Sequence, residues 1–257
     1  MAEKKVEQAI KAPTEKQVSL LEKLMAHELE DVQQKALAIV LAQQGYKVGI
    51  TGRRGEMLEE IKDLYPNAII PMVADATHAE AEKELNKLVT VLGGLDLFVI
   101  SAGMGVLNKT LDYTIENATN QLNVVAFTKM VNWGVHFFET QGHGHLANIS
   151  SVASRRGGRL TPSYNASKAY QSNYFEGVRQ RFYKLKLPIH TTDIRPGFVD
   201  TAMAQGSGIF WMAPKEKAAK QIYTAIKRKK PVVYITKRWA LIAFIFSNIP
   251  KWMHKRM

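Results

Sequence analysis

Apolar positions recur at helical spacing in one block and as short continuous runs in the next, and this alternation repeats along the chain. In the first block, residues 14–44, the side chains Leu21, Met25, Leu29, Val32, Ala36 and Ile39 or Val40 keep one stripe. Thr14 and Gln17 form a capping-box pattern at its start, and Gly45 is a natural stop. Such a helix is about 45 Å long, unusual for a compact α/β domain. Runs with strand character follow at 46–51, 68–73, 95–100, 145–150, 189–194 and 231–236, separated by helical periodicity at 55–64, 78–92, 114–140, 164–185 and 216–228. Residues 95–100 are apolar throughout except Asp96, as in a strand covered on both faces. The chain ends in an apolar tail, residues 239–253. Strands alternating with helices predict an α/β fold built on a Rossmann-like, doubly wound parallel sheet, preceded by an atypical long helical segment.

The chain has 257 residues, 46% hydrophobic and 23% charged, which suits one globular domain with a sizeable core. It has no cysteine, so disulfides and thiolate metal sites are excluded and a reducing compartment is compatible. The amino terminus lacks an apolar signal core, so the expected location is cytoplasmic. The formal charge of +12 points to anionic partners: a phosphorylated cofactor, acidic lipid or nucleic acid. No basic motif with interleaved aromatics is present, so nucleic acid is not an expected partner.

Candidate chemistry concentrates in residues 151–168. Tyr164 and Lys168 are four apart, so on a helix they share a face with their tips in reach of one another. A fixed ammonium favours the phenolate and brings proton transfer nearer to neutral pH. Ser151 closes the run 145–151, which reads as a buried strand ending in small hydroxyls, and is a plausible third member. The same pattern also fits a solvated surface pair and an ordinary strand cap.

From about Lys35 onward the chain resembles the short-chain dehydrogenase/reductase family. The motifs recur in order: Ser101, Ala102 and Gly103; Leu122, Asn123 and Val124; the run from Asn148 to Ser151; Tyr164 to Lys168; Arg195, Pro196 and Gly197, then Thr201. The resemblance divides the chain into residues 1–34, an atypical segment, and 35–257, a short-chain dehydrogenase-like domain. It implies hydride transfer between a nicotinamide cofactor and a carbonyl or alcohol, with Asn123, Ser151, Tyr164 and Lys168 as the catalytic set. Tyr164 would exchange the proton, Ser151 would hold the substrate oxygen, Lys168 would lower the phenol pKa and bind the ribose, and Asn123 would hold a water in a proton relay. Arg53 and Arg54 stand where an acidic residue would select NAD, which points to NADP(H). Asp75 resembles the adenine-contacting aspartate; Ala102, Gly103, Pro196, Gly197 and Thr201 complete the implied cofactor contacts. The family usually forms homo-oligomers through the helices carrying Asn123 and Tyr164.

The chain departs from the family upstream. The family opens with a strand and a glycine-rich turn that carries the pyrophosphate on a helix N-terminus. Here Glu28, Val32 and Gln34 fall where glycines belong, and no glycine precedes Gly45. The missing strand would be central, in the order 3-2-1-4-5-6-7. Either residues 1–34 are foreign or the pyrophosphate site has been lost; residues 4–11 are a third source of a strand, though a poor one.

Three weaker signals remain. His143 and His145 have no third ligand at sensible spacing and read as loop residues, so no metal is expected. Phe210, Trp211 and Met212 fall in the family's substrate lid, which points to a hydrophobic small molecule. The tail, with Trp239, Phe244, Phe246 and Trp252 between basic ends, fits a helix lying on an anionic membrane surface, and fits equally a cover over the cleft or a subunit interface.

Overall fold

A computed structural model of the chain describes residues 31–198 and 212–255, with side chains from Gln34 onward. The first part of the long helix and Thr201, Phe210 and Trp211 therefore lie outside the described residues. Helix α1, Asp31–Gln43, is followed by β1 (Val48–Gly52), α2 (Gly55–Leu64), β2 (Ile69–Val73), α3 (Ala81–Leu92) and β3 (Leu97–Ile100). The second half holds α4 (Tyr113–Asn120), a π-helical turn (Gln121–Ala126), α5 (Phe127–Gln141), β4 (Gly144–Ile149), a 3-10 turn (Val152–Arg155), α6 (Pro162–Leu185), β5 (Ile189–Pro196), α7 (Lys215–Lys227), β6 (Val232–Ile235), α8 (Trp239–Asn248) and α9 (Lys251–His254). Local chemistry sets several boundaries. Gly93 closes α3 at φ 83°, Asp112 caps α4 by accepting from the Thr114 amide at 2.8 Å, and Pro162 opens α6, where its missing N–H costs nothing.

Among the described residues all strand pairs are parallel, but they form two sheets. One is β1 with β2; the other runs β3-β4-β5-β6. Among the described residues no strand lies between β1 and β3, the place where the resemblance puts the first strand. A cleft of about 1590 Å³ lies there, with β1 and β3 both in its walls. Ile50 and Val99, inner residues of those strands, are only half-buried, whereas Leu146 and Ala147 in β4 are fully buried.

Helices cover both faces, as the doubly wound expectation requires. On one face, Leu37, Val40 and Leu41 of α1 pack with Ile222 and Ile226 of α7 over Val48, Ala147, Ile149 and Ile194. On the other, Val131 and Phe138 of α5 and Phe175 and Phe182 of α6 enclose Leu146 and Ile100. Leu146 and Ala147 thus face opposite cores, the period-two alternation of a strand. The first core contains residues of both sheets, so α1 joins what hydrogen bonds do not.

His145 is not a loop residue: it lies buried in β4, its Nε2 2.8 Å from the Thr192 hydroxyl. Burial, reinforced by His190 and Lys229, pushes its pKa down to about 4. The unfolded histidine binds its proton near pH 6.5, so acidification between that value and about 4 favours the unfolded chain. Stability should therefore fall by about 2 kcal/mol from pH 7 to pH 5. Urea midpoints at the two pH values check this, and His145→Gln should remove most of the difference.

Candidate active site

The turn of α6 that follows Pro162 carries the phenol and the ammonium. Lys168 is fully buried, its Nζ 3.1 Å from the carbonyl oxygen of Ile149 and 5.8 Å from the centre of the half-buried Tyr164 ring. A buried ammonium is costly without partners. Here the last carbonyl of β4 and the ring face meet it, so the charge is held beside the phenol. Tyr164 and Lys168 are thus no solvated surface pair.

Ser151 is the second residue beyond β4, and its Oγ accepts from the Ala153 amide at 3.1 Å, which caps the 3-10 turn. The neighbouring Ser150 donates to Asp193 Oδ1 at 2.7 Å, and Asp193 Oδ2 meets Arg195 Nε at 2.7 Å. The Ser150 hydrogen bond ties the end of β4 to β5, where the buried ion pair holds the Asp193 carboxylate, and so fixes the place from which Ser151 projects. Burial alone would lower the Arg195 pKa; Asp193 and Tyr234 outweigh it and hold the guanidinium charged.

Asn123 sits in the π-helical turn, fully buried. Its Oδ1 accepts from the Met104 amide at 2.8 Å, and its Nδ2 donates to the Met104 carbonyl at 2.7 Å and to Ser167 Oγ at 2.9 Å. Its backbone oxygen accepts from Gln171 Nε2 at 2.9 Å. The side chain is therefore a clip that fastens the loop after β3 to α6. That loop begins with Ser101, Ala102 and Gly103, all half-buried.

The expected adenosine end forms at the tips of β1 and β2. Arg53 and Arg54 leave β1, and Ala74 donates to the Gly52 carbonyl at 2.9 Å, bringing Asp75 beside them. Asp75 accepts from the Thr77 amide and hydroxyl at 2.8 and 2.7 Å. Burial pushes its carboxyl up, but these bonds and the charges of His78 and Arg53 hold it below the usual range. At the other end, Gly197 donates to the Ile235 carbonyl at 2.7 Å, and a Cβ on it would overlap the Trp239 indole. Between the two ends, Gln34 reaches across from α1 to the Ser101 carbonyl at 3.3 Å. Among the described residues no group of three His, Asp or Glu could hold a metal ion.

Three contributors were not legible in the sequence. Gly105 lies against Tyr164, where a Cβ would come within 2.6 Å of the ring. Glu116 accepts from Asn108 Nδ2 at 2.7 Å and from the Ser163 amide at 3.0 Å, placing a carboxylate at the N-terminus of α6. Gln171 holds Asn123, as above. Each depends on a contact between distant segments that no local pattern announces.

The sequence profile described as short chain dehydrogenase matches residues 34–209. The chain is similar to an uncharacterized oxidoreductase of Staphylococcus haemolyticus, 31% identical over 176 residues, covering 67% of this chain and 75% of that one. Its fold is similar to that of a serine dehydrogenase from Escherichia coli, with a TM-score of 0.67 at 22% identity over 79% of this chain and 91% of the other. It is also similar to ElxO with NADP bound, with a TM-score of 0.69 at 22% identity over 79% and 92%.

Proposed function

Because the chain belongs to the short chain dehydrogenase family, we propose that it interconverts a carbonyl and an alcohol on a hydrophobic small molecule, using NADP(H). The observation that carries this reading is the fully buried Lys168 held beside Tyr164.

The described residues suit the two ends of the cofactor. Arg53 and Arg54 offer charge-assisted hydrogen bonds to a 2′-phosphate, Asp75 stands beside them, and Gly197, against which the Trp239 indole packs where a side chain would stand, lies at the nicotinamide end. The pyrophosphate suits the chain poorly: the sequence before Gly45 has no glycine, and Glu28, Glu30 and Asp31 fall in the stretch of sequence where the family's glycine-rich turn belongs.

When bound, the nicotinamide supplies or takes up the hydride. The chain's own part is the proton. Tyr164 Oη donates it to the carbonyl oxygen during reduction and takes it back during oxidation. Ser151 Oγ keeps its own hydrogen for the substrate oxygen, since the Ala153 amide uses only a lone pair. Lys168 stabilises the phenolate left behind, and Asn123 holds the adjoining loop to α6.

A second reading, a binding or scaffold protein that keeps the catalytic set without the cofactor, is favoured by the absence of a strand between β1 and β3 among the described residues and by the acidic upstream stretch. Titration with NADPH, followed by nicotinamide fluorescence, separates the two. Saturation near micromolar supports the oxidoreductase, with NADH at least tenfold weaker because of the arginine pair. Absence of binding at millimolar NADPH sinks it.

Gly105→Val tests the wall behind the phenol. The new side chain must push the Tyr164 ring aside, so turnover should drop about a hundredfold, with circular dichroism unchanged. Near-normal turnover would show that the ring position is not critical.

A further inference from the structure

Eleven Lys and Arg and no Asp or Glu follow Glu216, so the last forty-one residues carry nearly all of the formal charge of +12. The same region holds α8, whose residues 239–246 are all apolar. A helix apolar on every side is ordinarily buried on every side. In α8 only Trp239 and Ala243 are buried, while Leu241 is 59% and Phe244 67% exposed. In α9, Trp252 is 59% exposed and Met253 is exposed beside it. Exposed Lys237, Lys251 and Lys255 rim these side chains.

This ledge is firmly seated. Arg155 Nε donates to Ser247 Oγ at 2.9 Å, and Arg156 donates to the carbonyls of Phe246, at 2.6 Å, and of Ile249. The two guanidinium groups thus meet the negative end of the α8 dipole. At the other end Trp239 packs against Phe198, with ring centres 5.3 Å apart. Arg155 and Arg156 belong to the segment between Ser151 and Tyr164, so the ledge adjoins the candidate site.

We propose that the α8–α9 ledge docks the protein on an anionic lipid bilayer, lying in the plane of the interface. Ten residues of helix span about 15 Å, half the hydrocarbon thickness, and among the described residues no helix is long and apolar enough to cross a membrane. Lying flat, α8 buries Leu241 and Phe244 among acyl chains, Trp252 meets the headgroup level, and the lysine rim meets lipid phosphates. Charge complementarity favours lipid over a second copy. A two-fold interface would set the same lysines against their own equivalents with no acidic residue on the ledge to answer them.

The test is flotation of the full chain with vesicles of phosphatidylcholine plus phosphatidylglycerol, beside phosphatidylcholine alone. Binding should require the anionic lipid, weaken with salt, and fall at least tenfold in Leu241→Glu/Phe244→Glu, with an unchanged melting temperature because both side chains are exposed. Equal flotation of parent and variant, binding indifferent to phosphatidylglycerol, or no flotation would overturn the proposal. So would sedimentation velocity showing a dimer that the double variant dissociates, which would make the ledge a subunit interface.

Discussion

Tyr164→Phe should lower turnover about a thousandfold and leave NADPH affinity within a factor of about two. The phenyl ring keeps the contact with Gly105 and the ring face toward Lys168, so fold and packing persist. Only the exchangeable proton is lost, and no second acid among the described tetrad residues replaces it. Asn123 is fully engaged with Met104 and Ser167, and Lys168 is held on the Ile149 carbonyl. Steady-state rates of NADPH oxidation with a panel of apolar carbonyls, beside a binding isotherm for both proteins, provide the check. Unchanged turnover would remove Tyr164 as the acid; loss of binding in parallel would mean that the phenol serves the ligand and not the proton.

Replacing residues 1–34 with a strand and a glycine-rich Thr-Gly-x-x-x-Gly-x-Gly turn should raise NADPH affinity about a hundredfold, close to 3 kcal/mol. Two effects combine. The exchange removes Glu28, Glu30 and Asp31 and supplies backbone N–H groups at a helix N-terminus for the pyrophosphate. The cleft walled by β1 and β3 offers two parallel strands that face no other described strand, so an inserted strand can pair on both sides. A matched replacement with alanine in place of the turn glycines isolates the second effect. If the glycine version binds no better than the parent chain, the phosphates are held by other groups.

The elements after Gly45 were legible because each buries a face whose period shows in the sequence. Residues 55–64 alternate charged and apolar residues at helical spacing and form α2 over that same range, and the apolar run before Ser101 forms β3. The Tyr164–Lys168 spacing was legible too, since helix geometry alone puts them together. Periodicity could not reveal the π-helical turn at Gln121–Ala126, because a single wide turn is too short to establish a period of its own. That turn carries Asn123, whose clip on Met104 is a long-range contact. His145 stands at the edge of two readings, the start of the run 145–150 and a loop residue beside His143, and the β4 ladder, which pairs it with His190, bears out the first. The interrupted sheet was half legible, announced by a charged, glycine-free stretch and visible as a cleft only once β1 and β3 are placed.

The seat of α1 bears on how ligand length is read by this protein. In an unbroken sheet, ladder hydrogen bonds space neighbouring strands at about 4.8 Å and act as a ruler across the fold. Here Arg53, Arg54 and Asp75 ride on the two-stranded plate, while Ser151, Tyr164 and Lys168 ride on the four-stranded one. Leu37, Val40 and Leu41 rivet the plates through dispersion contacts, which resist parting but have no register along the strands. The reach between a ligand's two ends is thus gauged by how α1, and α3 which packs on β1 and β2 and against Ile100, sit on the two plates.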